Sequence, residues 1–255
     1  MLISVITVCY NAEKRINDTI RSVLNQDFCD YEYIIKDGRS SDRTLEIAEK
    51  YKSEFENKNI DYRIISSKDS GIYDAMNECL KYVNGEWIIF INAGDKLYDE
   101  KVLSDASLEF CSGINVLYGD TLLIDKIYSR VLKARKPIDF KYLNPICHQS
   151  AFLRADTAKK IGFDCDYLIA ADFDFFLKAL KENRDCFKYF ERIVSTYLLG
   201  GISGRRLLKR EIEFNRSRKY NHIKRVRFPF LLMICMCLVD CCIRIKMHLF
   251  RQVQI

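Results

Sequence analysis

The sequence predicts an α/β fold with a doubly wound, mostly parallel sheet and a C-terminal helical tail. Two observations in residues 1–95 predict this fold. Short apolar runs rich in β-branched residues alternate with stretches whose apolar residues recur at helical spacing. Polar residues follow the apolar runs, as they do where a parallel sheet ends at a ligand pocket. This strand–helix order implies crossover connections between parallel strands.

The first half of the chain supplies four strands and three helices in alternation. Apolar runs predict strands at 2–9, 31–36, 61–66 and 86–91. Helical spacing, clearest at Ile16, Ile20 and Val23, predicts helices at 12–25, 42–57 and 72–84.

The second half follows a different pattern, in which strands no longer alternate regularly with helices. Residues 114–135 predict a hairpin that turns near Gly119 and Asp120. A short strand at 150–154, a helix at about 170–183 and a strand at about 186–198 follow. Gly200 and Gly201 are expected to end the compact domain, which we place at 1–204 with halves 1–95 and 96–204.

The tail, residues 205–255, is strongly basic, whereas the rest of the chain has a slight excess of acidic residues. Residues 201–255 hold 13 Lys and Arg against 3 Asp and Glu, although the whole chain has a net charge of only +6. The apolar run 228–239 that follows the basic stretch is shorter than the ~20 residues needed to span a bilayer. The pattern favours an interfacial helix on the inner, anionic face of a membrane. The alternative is a helix packed on the domain. Nucleic acid is not favoured, because no binding module or interleaved aromatic residues accompany the charge.

The cysteines indicate a reducing compartment. The 11 cysteines are scattered and form no CxxC pair, and the chain has only three histidines, so a zinc cluster is not predicted. Residues 1–8 enter a strand at once, without a basic leader or cleavage site. We therefore expect a cytoplasmic protein that is peripherally associated with a membrane.

Polar residues at the carboxyl ends of the first four strands predict a nucleotide pocket. Neither GxGxxG nor a Walker P-loop occurs. The ends are instead marked by 7–11, 36–44, 67–74 and 92–95, which should meet at one edge of the sheet. Asp95, preceded by small Ala93 and Gly94, suits a divalent cation that bridges substrate phosphates, although these residues also favour a simple turn.

The order and spacing of these segments resemble family 2 glycosyltransferases, in particular a bacterial polysaccharide subgroup that includes colanic acid glycosyltransferases. The resemblance covers roughly residues 1–200 and rests on 4–11, 37–44, 69–77, 92–95, 147–150 and 171–177. It implies a GT-A fold, a nucleotide-diphosphate sugar donor, usually a UDP-sugar, and transfer with inversion at the anomeric carbon. It also implies a divalent cation, Mg²⁺ or Mn²⁺.

The resemblance assigns residues to the nucleotide and the metal. Asp37 matches the carboxylate that contacts the base, Asp69 matches the next position of the nucleotide pocket, and Asp95 matches the last carboxylate of the metal motif. Asn92 and Gly94 stand where acidic residues are usual, so one firm carboxylate remains and Asn92 has a supporting role. The positions that match the loop against the nucleoside are Thr7, Cys9, Tyr10 and Asn11.

Asp172 is the predicted general base. Inverting transfer needs a carboxylate that takes the proton of the acceptor hydroxyl, and Asp172 matches the second position of the family's Glu-Asp-x-Asp motif. Asp174 lies two residues further, so on a helix it points to another face and has a supporting role. His148 either is structural or contacts the metal or the diphosphate; the residues leave both interpretations open.

Taken together, these features predict an inverting glycosyltransferase that makes surface polysaccharide, with a nucleotide-sugar half (1–95) and an acceptor half (96–204). The acceptor is expected to be a glycan or a lipid-linked glycan. Two alternatives from other classes remain: a nucleotidyltransferase on a similar sheet, and a non-catalytic protein that binds nucleotide-sugars.

Overall fold

The structure is a computed structural model that describes residues 1–125, 128–183, 185–199 and 207–223. One compact unit comprises Met1–Ile223, and the remainder, Lys224–Ile255, lies outside the described residues. The apolar part of the predicted tail therefore also lies outside them. Among the described residues, no helix is both long and apolar enough to cross a membrane.

A single mixed sheet organises the described residues. Its strands in chain order are β1 (Ile3–Cys9), β2 (Tyr31–Asp37), β3 (Asp61–Ser66), β4 (Trp87–Phe90), β5 (Lys96–Leu97), β6 (Val116–Ile124), β7 (Ser129–Leu132), β8 (Ala151–Arg154) and β9 (Phe187–Leu198). The spatial order is β3-β2-β1-β4-β8-β6-β9-β5, with β7 paired to β6.

The first four strands are parallel, as predicted from their alternation with helices. In the register of the sheet, Cys9 lies opposite Asp37, and Asp37 lies opposite Ser66. On the other side of β1, Ile6 lies opposite Phe90, the last residue of β4. The polar segments that follow β1, β2, β3 and β4 therefore emerge at the same edge. Strand β8 runs antiparallel to both β4 and β6, and joins the two halves of the sheet.

Helices cover both faces of the sheet. They are α1 (Ile16–Leu24), α2 (Thr44–Glu49), α3 (Lys52–Asn57), α4 (Ile72–Leu80), α5 (Val102–Glu109), α6 (Ala155–Ile161), α7 (Ala171–Glu182) and α8 (Leu207–Tyr220). Alternate residues of β1 feed two cores: Ile3 and Val5 pack on one face, and Ile6 and Val8 on the other. This is the pattern expected of a strand that is buried on both sides.

The hairpin predicted for residues 114–135 is present, since β6 and β7 pair antiparallel, but its turn was placed wrongly at Gly119 and Asp120, because β6 runs through both residues. Asp120 is buried and accepts hydrogen bonds from the Ala134 amide at 2.9 Å and the Tyr189 hydroxyl at 3.0 Å. A Cβ on Gly119 would lie 2.6 Å from the carbonyl oxygen of Arg192. The Gly-Asp pair thus marks an irregularity where β9 approaches closely, and the chain reverses later, between β6 and β7.

Helix α8 belongs to the compact unit, so that unit extends beyond the boundary predicted at residue 204. Phe214 stacks on Phe173 of α7, with ring centroids 4.3 Å apart. Arg218 is 2% exposed and donates from Nε to the carbonyl oxygen of Phe140 at 2.7 Å. For residues 207–220 the structure therefore agrees with the alternative of a helix packed on the domain. The sequence left both interpretations open, because the charged residues of α8 are divided between buried positions, such as Glu213 and Arg218, and exposed ones, such as Lys209 and Lys219.

Candidate active site

The ends of β1 and β2 form a polar floor around Asp37. The Asp37 carboxylate is buried and accepts hydrogen bonds from the Ser40 amide at 3.0 Å and the Ser66 hydroxyl at 2.9 Å. The Ser40 hydroxyl lies 2.5 Å from its other oxygen. The thiol of Cys9 points to that oxygen at 3.8 Å, and burial together with the charge of Asp37 raises the pKa of Cys9 far above its usual value. Cys9 is therefore a protonated donor beside Asp37.

Thr7 does not reach this floor, which corrects its predicted contact with the nucleoside. Its side chain is fully buried; the hydroxyl donates to the carbonyl oxygen of Ile91 at 2.6 Å and lies 2.9 Å from the Tyr33 hydroxyl. Thr7 lies on the same face of β1 as Cys9, Val5 and Ile3, but two residues before the strand end, so its side chain is buried within the sheet instead of at its edge. Thr7 therefore ties β1 to β2 and β4.

Tyr10 and Asn11 follow β1 at the rim. Asn11 has a positive φ of 47°. Its amide donates to the Ser40 hydroxyl at 2.8 Å, and its side-chain oxygen accepts from the Ser41 amide at 2.9 Å. These bonds fasten the loop after β1 to the loop after β2. Tyr10 is 65% exposed, so its ring is available to a planar group on the floor.

Asp69 is held by a buried lysine that the sequence analysis did not single out. The Lys36 ammonium is fully buried and lies 3.0 Å from Asp69 and 3.4 Å from Glu78. Burial lowers the pKa of Lys36, but the hydrogen bond to Asp69 and the charges of Asp69 and Glu78 outweigh it, and the net shift is upward. Asp69 also accepts from the Gly71 amide at 3.2 Å. Lys36 thus fixes the carboxylate that follows β3.

Asp95 lies beyond β4 in a tight turn supported by α1. The Thr19 hydroxyl accepts from the Gly94 amide at 3.0 Å and donates to the Asp95 carbonyl oxygen at 2.8 Å. Gly94 has a φ of +111°, a backbone angle that residues other than glycine rarely adopt. The Asp95 side chain is 7% exposed, and its burial raises the pKa of Asp95 to about 7 against the lowering effects of His148 and Arg15.

A chain of side chains connects the end of β4 to the start of α7. Asn92 Nδ2 lies 3.1 Å from His148 Nε2, and His148 Nδ1 lies 3.1 Å from Asp172 Oδ2. The other oxygen of Asp172 accepts from the Phe173 amide at 2.8 Å and from the Tyr73 hydroxyl at 3.4 Å. The structure therefore brings together Asn92, His148 and Asp172, which lie far apart in the sequence.

His148 interacts electrostatically with both Asp172 and Asp95. Burial lowers the pKa of His148, but the hydrogen bond to Asp172 and the charges of Asp172 and Asp95 raise it by more. Asn92 Oδ1 is buried without a hydrogen-bond partner. With the amide of Asn92 turned over, Oδ1 would accept from a protonated Nε2, so the same pair serves both protonation states of the imidazole.

Asp174 faces away from the site, as expected from its spacing. It is 1% exposed, accepts from Ser217 at 2.7 Å and Asn221 at 2.9 Å, and pairs with Lys178 at 2.7 Å. Asp174 therefore fastens α8 to α7, and its support of the site is indirect.

The donor set at the end of β4 fits a divalent cation only in company with substrate oxygens. No group of three or more His, Cys, Asp or Glu side chains among the described residues could hold a metal ion alone. Asn92 Oδ1, which has no hydrogen-bond partner, and the buried Asp95 carboxylate near His148 are oxygen ligands of the type that hard cations prefer. They are too few to complete the coordination of a cation by themselves. Mg²⁺ and Mn²⁺ accept such incomplete sets because substrate phosphates complete them.

Two residues near this cluster escaped the sequence analysis. Tyr73 is 8% exposed and reaches Asp172 from α4. Arg15 precedes α1, and its Cδ lies 3.3 Å from the position that a Cβ on Gly94 would occupy. Its guanidinium is exposed and forms no hydrogen bond or ion pair within the described part of the chain. The approach of Arg15 to Gly94 accompanies the positive φ of Gly94, and a sequence does not reveal φ.

Known proteins are similar to this one in both sequence and fold. The profile of glycosyl transferase family 2 matches residues 4–145. A PGL/p-HBAD biosynthesis glycosyltransferase of Mycobacterium tuberculosis is 28% identical over 208 residues, which cover 79% of each chain. The poly(ribitol-phosphate) beta-N-acetylglucosaminyltransferase TarS of Staphylococcus aureus is 32% identical over 126 residues, 49% of this chain and 21% of TarS.

Solved structures confirm the predicted fold. TarS 1–349 of S. aureus in complex with UDP superposes with a TM-score of 0.68 at 21% identity, over 89% of this chain and 67% of that one. The mannosyltransferase PcManGT of Pyrobaculum calidifontis, in complex with GDP-Man and Mn²⁺, gives 0.63 at 17% identity, over 89% and 65%. The family match covers more than half of the chain, so this protein belongs to glycosyl transferase family 2 and is a glycosyltransferase with a GT-A fold.

Proposed function

We propose that this enzyme transfers a sugar, with inversion, from a UDP-sugar to a glycan or lipid-linked acceptor in surface polysaccharide synthesis. The observation that carries the proposal is the series of contacts Asn92–His148–Asp172. It connects the end of β4, where Asp95 lies, to the carboxylate of Asp172 at the start of α7. A donor at Asp95 and an acceptor at Asp172 would therefore meet at His148.

The donor nucleotide would occupy the floor between the loops after β1, β2 and β3. Cys9 and Asp37 supply a thiol and a carboxylate beside one another, Tyr10 supplies an exposed ring, and Asn11 and Asp69 border the same floor. Such a ring and carboxylate suit the face and the N–H edge of uracil. The TarS structure in complex with UDP-GlcNAc supports this choice of donor by analogy of fold.

A divalent cation would be held by Asp95, with Asn92 and His148 as its neighbours. It would neutralise the charge that develops on the departing diphosphate. Solved relatives of this fold contain Mn²⁺ with a nucleotide or nucleotide-sugar, which supports a cation here. The buried carboxylate of Asp95 is already desolvated, so it gains strongly from a positive partner.

Asp172 would act as the general base on the acceptor side. Its position in the first turn of α7, its bond from the Phe173 amide and its contact with His148 hold the carboxylate in one orientation. As the acceptor oxygen attacks the anomeric carbon, Asp172 takes its proton, and the carbon–oxygen bond to the diphosphate breaks on the opposite face. One displacement of this kind inverts the anomeric configuration.

The tail supports a location at a membrane surface, since its basic residues precede the apolar run 228–239. A cytoplasmic enzyme attached peripherally to the inner face would meet lipid-linked acceptors there. Flotation of the protein with anionic vesicles tests this part of the proposal.

The decisive experiment first screens nucleotide-sugars for protection against thermal unfolding in the presence of Mn²⁺. It then compares transfer by Asp172→Asn with transfer by the wild type. We expect turnover to fall roughly 10²–10⁴-fold while donor affinity stays unchanged. Asp156→Asn is the matched control, because Asp156 occupies the first turn of α6 but is exposed. Full activity of Asp172→Asn, or release of pyrophosphate instead of UDP, would contradict the proposal.

A further inference from the structure

The loop that precedes Asp172 is held by a carboxylate from another helix. Glu213 of α8 is 6% exposed, and its oxygens accept from three consecutive backbone amides: Leu168 at 3.2 Å, Ile169 at 2.8 Å and Ala170 at 3.1 Å. Three such bonds to one buried carboxylate form a specific structural tie, because both oxygens of the side chain are used.

The bonds to Glu213 hold the start of α7, where the local sequence provides no capping side chain. Helix α7 begins at Ala171, its N-cap is Ala170, and no side chain caps it locally. Helices usually begin at a residue whose own side chain accepts the free amides. Glu213 of α8 instead accepts from the three amides immediately before the helix, which places its negative charge near the positive end of the α7 dipole.

We propose that Glu213 is a positioning residue that fixes loop 168–170 and thereby orients the Asp172 carboxylate toward His148. This inference rests on the proposed role of Asp172 as the base. Asp172 lies two residues beyond the last tied amide, and its contacts with His148 and Tyr73 are 3.1 and 3.4 Å long. Release of the loop would shift the start of α7, and with it both contacts.

The other contacts of α8 show that Glu213 is not needed simply to attach the helix. Phe214 stacks on Phe173, Ser217 donates to Asp174, and Arg218 donates to the Phe140 carbonyl. These contacts attach α8 to the body of the domain. Arg216 of α8 contacts Asp166 and Tyr167, just before the tied segment, whereas Glu213 binds the amides of residues 168–170 themselves. Loss of Glu213 is therefore expected to free those amides with α8 still in place.

The test compares Glu213→Gln and Glu213→Ala with the wild type. Glutamine keeps one acceptor oxygen and alanine keeps none, so kcat should decrease in the order wild type, Glu213→Gln, Glu213→Ala. A displacement of about 1 Å at a catalytic group costs on the order of 10²-fold, and we expect a loss approaching this for alanine. The KM for the donor should stay unchanged. The matched control is Glu211→Gln, which removes the same charge from the same helix two positions away.

A second measurement is independent of turnover. His148 Nδ1 lies 3.1 Å from Asp172 Oδ2, so the NMR chemical shifts of the imidazole nitrogens at a fixed pH report whether that bond persists. We expect these shifts to change in Glu213→Ala and to match the wild type in Glu211→Gln. If Glu213→Ala fails to fold, the same shifts in Glu213→Gln decide the question.

The outcomes separate this inference from the proposed function. If Asp172→Asn is fully active, the assignment of the base is wrong, whatever Glu213 does. If Asp172→Asn is inactive but both Glu213 variants keep the wild-type kcat and the wild-type imidazole shifts of His148, the positioning role is overturned. A joint loss of kcat, donor affinity and melting temperature would also overturn it, because it would indicate general unfolding.

Discussion

Asp95 should make this protein less stable as pH rises, which is opposite to the usual behaviour of an aspartate. Its folded-state pKa is about 7, against ~4 for an exposed aspartate. The folded protein therefore binds the proton more tightly than the unfolded chain does. The stabilisation is present below the unfolded pKa and is lost as pH rises through the folded one.

The magnitude follows from that difference. About three pKa units correspond to roughly 4 kcal/mol of unfolding free energy between pH 4 and pH 8, and to roughly 2–3 kcal/mol of it between pH 5 and pH 8. The Asp95 side chain is only 7% exposed, so solvent screening removes little of this. Asp95→Asn keeps the shape and removes the titration. Its stability relative to the wild type should increase by that amount from pH 5 to pH 8.

The assay is urea unfolding of both proteins at several pH values with a chelator present. His148 is a second titratable group whose charge acts on Asp95, so the two proteins are also compared in the His148→Gln background. Adding Mn²⁺ and UDP at pH 8 should restore stability to the wild type but not to Asp95→Asn. A stability difference that does not change between pH 5 and pH 8 would refute the reasoning.

Three further predictions concern residues around the site and the tail. Arg15→Ala should raise the KM for the donor more than it lowers kcat, because the unpaired guanidinium beside Gly94 suits a diphosphate; steady-state kinetics, with Lys14→Ala as the control, checks this. Lys36→Met should lower the free energy of unfolding measured in urea by ~3 kcal/mol, because Asp69 and Glu78 would lose a buried partner. An unchanged urea midpoint would contradict this prediction. Removal of residues 224–255 should abolish flotation with anionic vesicles, and high salt should release the intact chain only in part. Equal binding of the intact chain to neutral vesicles would refute the electrostatic contribution.

Local patterns predicted the nucleotide half of the fold well. Strands β1, β2 and β4 were visible because they are rich in apolar residues and buried on both faces, whereas β3 is only half-buried. The order of strands and helices then determines where the strand ends meet. The same reasoning failed at Gly119, where a glycine that signals a turn is required instead by the approach of Arg192. Close approach of two backbones depends on tertiary packing, which no local pattern contains.

The site was predictable only where its residues lie at strand ends. Asp37 and Asp95 could be placed from the topology, whereas Thr7 could not, because it shares a face with Cys9 but lies two residues before the end of β1, inside the core. The contacts between His148 and Asp172 and between Glu213 and Ala170 join residues 24 and 43 positions apart. Such contacts arise from the packing of loops and helices, and neither spacing nor hydrophobic periodicity encodes them.

The amide at position 92 acquires a physical meaning once His148 is seen beside it. A carboxylate there could only accept a hydrogen bond, whereas an amide can donate to a neutral Nε2 or, turned over, accept from a protonated one. In the proposed reaction Asp172 begins as an anion and ends protonated, so the charge that supports a cationic His148 is lost during each turnover. An amide partner would keep the imidazole in place through that change. The departure of Asn92 from the usual acidic motif therefore fits a site in which histidine links the cation to the base.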